Sequence, residues 1–336
     1  MVLAATLELT PQVRAATDHI FPKVSHVLAE LEWLQLAPLV DAINRLKRRR
    51  NAVVLAHNYM TPDIYHGVAD ITGDSLALAR EAARTDAKVL VVAGVHFMAE
   101  TAKIQNPGKI VLIPDVQAGC SLASSITPAD VRRLRAEHPG APVVVYVNTT
   151  AEVKAEADVC CTSGNAVRVV EALNAPKVIF LPDQHLAAYV AERTRTEIVT
   201  FAGACEVHER FTGRDVETYR RGFDGLTVIA HPECPEDVQH AADFVGSTAE
   251  MIRFARERRP SPLLMLTECS MSDNVAAELS PDVELVRPCN LCPHMKRITL
   301  AKILRSLETL QPRVEVEPGI AARARRAVDA MLAIGG

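Results

Sequence analysis

The 336-residue chain sets 37 Lys and Arg against 41 Asp and Glu, a net charge of −4, and is 49% apolar and 23% charged. That composition describes a globular chain with a core and excludes disordered, collagen-like and coiled-coil classes. Without a basic excess there is no basis for affinity built on neutralising phosphates, so no nucleic-acid partner is expected.

Residues 1–39 read as an N-terminal helical extension. Met1 to Pro11 has no Lys or Arg ahead of its apolar residues and no signal-type cleavage pattern, and no stretch nears 18 uninterrupted apolar residues. The expectation is a soluble, cytoplasmic chain with no membrane partner. DAINRLKRRR (41–50) reads as a helix end, where Lys47 to Arg50 suit the negative pole of the dipole. Short β-branched runs follow: AVVLAH (52–57), KVLVVAG (88–94), KIVLIP (109–114), VVVYVN (143–148), KVIFLPD (177–183), EIVTFAG (197–203), LTVIAH (226–231), PLLMLTE (262–268) and DVELVRP (282–288). They alternate with helix-like segments such as SLALAREAAR and STAEMIRFARERR. The pattern predicts βαβ units whose parallel strands are buried on both faces.

Nine strands fall into three sets. His57, Tyr146 and His231 close the first strand of each set, 89 and 85 residues apart. The hydroxyl residues Ser75, Ser163 and Thr248, at predicted helix starts, are 88 and 85 apart, and Cys120, Cys205 and Cys292 are 85 and 87 apart. A period of this length is a whole small α/β domain. The fold class is α/β: three homologous three-layer αβα domains with short parallel sheets, over 40–124, 125–212 and 213–300, in pseudo-threefold array around a central site. Residues 301–336 read as a C-terminal helical extension packing on the body. In open α/β sheets ligands sit beyond the carboxyl ends of strands, where all nine landmarks lie.

The chemistry follows from that convergence. Three thiolates suit a [4Fe–4S] cluster, normally held by four, and leave one iron open as a Lewis acid; buried apolar cysteines are the plain alternative. Cys289-Asn-Leu-Cys292 is half of a zinc knuckle without its other half, or a redox dithiol. Cys160, Cys161, Cys234 and Cys269 read as structural. Ser75, Ser163 and Thr248 offer anion-binding helix starts, or plain N-caps. His57 with Tyr59, Tyr146 with Asn148, and His231 with Glu233 are acid and base candidates.

These residues sit in motifs that resemble the quinolinate synthase family over about residues 40–310: AHNYMTPDIYHGVADITGDSLALA (56–79), AGVHFMAETAKIQNPGKIVLIPDVQAGCSLA (93–123), VVVYVNTTAEVKAEADVCCTSGNA (143–166), IFLPDQHLAAYVA (179–191), GACEVHERF (203–211), VIAHPECPEDV (228–238) and CNLCPHMKRITLAKIL (289–304). Seven collinear motifs are specific. The resemblance implies condensation of iminoaspartate with dihydroxyacetone phosphate to quinolinate, with release of phosphate and water, in de novo NAD biosynthesis. It implies a [4Fe–4S] cluster on Cys120, Cys205 and Cys292 with one open iron. The implied substrate-binding residues are His57, Ser75, Tyr146, Asn148, Ser163, His231, Glu233 and Thr248. Glu233, His231, Tyr59 and Tyr146 are the implied proton movers. A transient contact with an L-aspartate oxidase would deliver the unstable imine. His294 stands where a tyrosine is usual, and Phe201 where a tryptophan is. The alternatives are a non-catalytic iron–sulfur redox sensor and a zinc hydrolase.

Overall fold

The computed structural model describes residues 7–279 and 282–334. Residues 1–6, part of the stretch read for a signal sequence, lie outside them, as do 280–281 and 335–336. Among the described residues twelve strands form three four-stranded parallel sheets. In the first, β1 (Ala52–His57), β2 (Ile71–Gly73), β3 (Val89–Ala93) and β4 (Ile110–Leu112) run in the order β2-β1-β3-β4. The second, of β5 (Val143–Tyr146), β6 (Val159–Cys161), β7 (Lys177–Leu181) and β8 (Glu197–Val199), repeats that order as β6-β5-β7-β8. The third, of β9 (Thr227–Ala230), β10 (Phe244–Val245), β11 (Leu263–Leu266) and β12 (Leu285–Val286), repeats it as β10-β9-β11-β12. Helices alternate with the strands, which gives the expected αβα layers.

The inner strands are continuous apolar runs because both faces are covered: every residue of β3, β5 and β11 is buried. Nine strands correspond to the nine β-branched runs. The three that sequence periodicity misses are β2, β6 and β10, one edge strand of each sheet, only two or three residues long.

A side-chain clamp explains how such short edges stay paired. Asp70, Asp158 and Asp243 each precede an edge strand, and each accepts the backbone N–H of the neighbouring central strand. Val54 donates at 2.8 Å, Val143 at 2.7 Å and Val228 at 2.7 Å. A cation from the preceding helix grips the same carboxylate: Lys47 at 2.8 Å, Arg135 at 3.1 Å and Arg220 at 3.0 Å. Both sets recur at intervals of 88 and 85 residues, so the repeat extends to individual hydrogen bonds.

The flanking segments complete the layers. A single helix, Glu30–Arg50, leads into β1, buries Trp33 and Ile43, and ends on Asn51 in the left-handed conformation at φ 48°. Downstream of Cys120, Cys205 and Cys292, Thr127, Thr212 and Thr299 cap the helices Pro128–Glu137, Gly213–Gly222 and Leu300–Thr309. The last of these, Leu300–Thr309, lies against Glu30–Arg50. The final helix, Pro318–Ile334, buries Ala324, Ala327, Val328 and Met331 over the second sheet's β6 and the helix Ala151–Lys154. Among the described residues no helix is long and apolar enough to cross a membrane.

Replacing Asp158 by Ala leaves the buried Val143 N–H without its carboxylate. The expected cost is about 1–3 kcal/mol, read as a lower urea midpoint and faster exchange of the Val143 amide. Unchanged exchange at Val143 would show that the clamp does not hold the edge.

Candidate active site

The loops beyond the carboxyl ends of the strands line one cavity. His57 and Tyr59 enter from β1, Asn148 from β5, and His231 and Glu233 from β9. Cys120, Cys205 and Cys292 enter from the loops after the fourth strand of each sheet, and Ser75, Ser163 and Thr248 from beyond β2, β6 and β10. Tyr146 stands behind this wall and reaches it through Glu233. The register explains the convergence. His57 pairs with Gly73, two residues before Ser75; Tyr146 pairs with Cys161, two before Ser163; Ala230 pairs with Val245, which sets His231 beside Gly246, two before Thr248.

All eight cysteines are free thiols. Three of them share a local geometry. The sulfur of Cys120 accepts the N–H groups of Leu122 and Ala123, that of Cys205 those of Val207 and His208, and that of Cys292 those of His294 and Met295. Each site thus uses the second and third residues after the cysteine. Burial pushes all three thiols up, Cys120 to about 12, while these N–H groups pull the other way. Cys160, Cys161 and Cys234 are fully buried in the core. Cys269 is hydrogen-bonded to Cys289, so the neighbour of Cys289 is a thiol from the β11 loop.

Two of the cavity histidines, His57 and His231, are each held in one tautomer. The Tyr59 N–H donates to His57 Nδ1 at 3.2 Å, and the Glu233 N–H donates to His231 Nδ1 at 3.3 Å. Each Nδ1 is therefore an acceptor, and the ring proton resides on Nε2. His231 Nε2 lies 3.2 Å from Ser163 Oγ. Burial depresses both rings, His57 to about 4 and His231 to about 3, so both are neutral N–H donors at neutral pH.

Glu233 is the anionic centre. Its Oε1 accepts from the Tyr146 hydroxyl at 2.5 Å and from Asn148 Nδ2 at 3.3 Å, and its Oε2 lies 2.8 Å from His208 Nδ1. Burial opposes ionisation, but the hydrogen bonds donated by His208 and Tyr146 outweigh it and hold the carboxyl well below its usual range. Tyr59 and Tyr146 are raised well above the ordinary phenol value by burial and by the Glu233 charge, so both keep their protons.

Sequence reasoning did not single out His208. It is fully buried, stacks on His231 with ring centroids 4.8 Å apart, and touches Cys205 Sγ at 3.2 Å. Its Nε2 faces the hydroxyls of Thr267 at 3.0 Å and Tyr59 at 3.3 Å. With Nδ1–H given to Glu233, Nε2 is the acceptor, and the ring joins the Tyr59 phenol to the carboxylate. The Cys205-x-x-His208 spacing was the available signal. Cys205, His208 and Glu233 also bring their donor atoms within 4.8 Å of one another.

The hydroxyl trio is not used for capping. Asp74 caps the helix Ser75–Arg84, Ser247 caps Thr248–Arg258, and Asn165 precedes Ala166–Leu173. Ser163 therefore does not open its helix, as its place in the repeat suggested, but sits in the turn before it, because Gly164 and Asn165 intervene. Thr248 Oγ1 accepts from Asn58 Nδ2 at 2.9 Å.

Three parallel-sheet units that aim their strand ends at thiols, neutral imidazoles and one buried carboxylate define an α/β enzyme with a single composite site. A family model described as "Quinolinate synthetase A protein" matches residues 41–333. "Quinolinate synthase 2" of Mesorhizobium japonicum is 58% identical over 96% of this chain and 99% of its own length. "Quinolinate synthase" of Agrobacterium fabrum is 58% identical over 96% and 93%, and that of Xylella fastidiosa 61% identical over 88% and 87%. The chain belongs to the quinolinate synthetase A family. Membership bears out the enzyme reading and gives no support to a redox sensor.

The neutral histidines carry a pH signature. Their folded values lie below the unfolded value of about 6.5, so the unfolded chain binds protons first and stability falls as pH drops from about 6.5 toward 4. Each ring is expected to cost about 2 kcal/mol between pH 7 and 5. His57→Asn should shrink the difference between urea midpoints at those two pH values; an unchanged difference would contradict the buried neutral ring.

Proposed function

We propose that this enzyme condenses iminoaspartate, supplied by an L-aspartate oxidase, with dihydroxyacetone phosphate to give quinolinate, releasing phosphate and water, in the cytoplasm. The observation that supports this most is the buried Glu233 carboxylate, ionised among hydrogen-bond donors and facing the three thiols across one cavity. Carbon–carbon bond formation followed by dehydration needs a base to take a C–H proton and acids to protonate the leaving hydroxyl and phosphate.

The residues divide that work by their ionisation. Glu233, held as an anion among hydrogen-bond donors, serves as base. Tyr59 and Tyr146 retain their protons and serve as acids, with His208 placed to pass charge between Tyr59 and Glu233. The Nε2–H groups of His57 and His231, with Ser75, Ser163, Thr248 and Asn148, hold the substrate carboxylates and phosphate as donors.

The cysteine geometry suits a [4Fe–4S] cluster. Three free thiols open onto one cavity, each with a pair of backbone N–H donors of the kind that steadies cluster thiolates. Cys120, Cys205 and Cys292 would hold it, and a fourth iron without a cysteine would supply a Lewis acid for a substrate oxygen or nitrogen.

The test is anaerobic turnover with dihydroxyacetone phosphate and iminoaspartate generated in place from aspartate. Quinolinate is expected from the wild type, and Glu233→Gln is expected to lower kcat by about 10²–10⁴-fold. Full turnover by Glu233→Gln would remove it from the base role; no quinolinate from the wild type would overturn the reaction.

A further inference from the structure

Each third strand is followed by a helix N-cap: Val95 after β3, Asp183 after β7 and Glu268 after β11. The repeat thus puts three different side chains in one slot. Val95 is apolar. Asp183 spends Oδ1 on the helix N–H groups of His185 and Leu186. Glu268, one methylene longer, reaches the cysteine loop of its own unit.

Glu268 is fully buried. Its Oε2 accepts the Ser270 N–H at 2.8 Å, and its Oε1 accepts both the Cys292 N–H at 3.1 Å and the Lys296 ammonium at 2.8 Å. All these partners are donors, so the carboxylate acts as an anion. Lys296 is equally committed. Beyond Glu268, its Nζ donates to the Tyr59 carbonyl at 2.7 Å and to Ser270 Oγ at 2.7 Å, which uses all three of its protons. One ion pair therefore fastens the Cys292 backbone of the third unit to the Tyr59 backbone of the first. The mechanism above gives neither residue a part.

We propose that Glu268 and Lys296 are positioning residues that fix the Cys292 loop against Tyr59 and hold a balanced charge pair behind the third cluster ligand. The inference rests on the cluster reading of Cys120, Cys205 and Cys292. A balanced pair adds little net field at the sulfur, whereas either partner alone leaves an uncompensated charge in a low-dielectric site. A lone anion disfavours adding an electron to a neighbouring cluster, and a lone cation favours it.

The two residues therefore predict shifts of opposite sign. On anaerobically prepared holoenzyme, the midpoint potential from an EPR-monitored redox titration should move negative in Lys296→Met and positive in Glu268→Gln. The double variant should lie between them, and Lys296→Arg, which keeps the charge, should match the wild type. Loss of packing alone has no reason to give opposite signs. Should Glu268→Gln fail to fold, Lys296→Met against Lys296→Arg still decides: a negative shift in Met only supports the proposal, and equal potentials overturn it. Single variants that move together, or not at all, also overturn it while iron and acid-labile sulfide remain at wild-type levels. A wild type without acid-labile sulfide overturns the cluster reading, and the proposal with it.

Discussion

Parallel pairing around a central first strand is the constraint on which the molecule depends. In each sheet the first strand lies between the second and the third, so the chain reverses its direction of growth across the sheet there. At such a point the connecting loops diverge and leave a crevice at the carboxyl ends. The Asp clamps set the register of each edge, and the register decides which side chain meets which. A slip of one residue would turn Ser75, Ser163 or Thr248 to the opposite face. The site is therefore a consequence of three ladders more than of any one loop.

Electrostatics then assigns the chemistry. The cavity wall is apolar and buried enough to keep imidazoles neutral, phenols protonated and thiols uncharged. Against that background one carboxylate remains ionised, because Tyr146, Asn148 and His208 all donate to it. A base surrounded by acids and neutral donors suits successive eliminations, since each needs both partners close together. The thiols contribute a separate capacity: repeated N–H pairs at three symmetric sulfurs prepare them for a positive metal centre, whose charge would ionise them.

Most of this architecture was legible in the residues. Nine strands announced themselves as continuous β-branched runs; in the inner ones burial on both faces leaves no room for polar alternation. Edge strands β2, β6 and β10 did not, because an Asp side chain holds two or three residues that carry no periodic signal. The spacing of the cysteines, hydroxyls and strand-end residues led to the cavity, for the repeat preserves register as well as fold. His208 escaped because its importance comes from contacts with Glu233, Thr267 and Tyr59, which are distant in sequence. The capping role of Asp74 and Ser247, one residue ahead of Ser75 and Thr248, likewise shows only in the hydrogen bonds.

The central claim is that three units place one cysteine each around a shared metal centre. It is tested most directly by counting iron and acid-labile sulfide on anaerobically purified wild type, on Cys120→Ser, Cys205→Ser and Cys292→Ser, and on Cys160→Ser as the core control. About four irons and four sulfides per chain are expected in the wild type and the control, with loss in each of the other three. Stoichiometric zinc without sulfide, or a cluster that survives any of those three substitutions, would contradict the account.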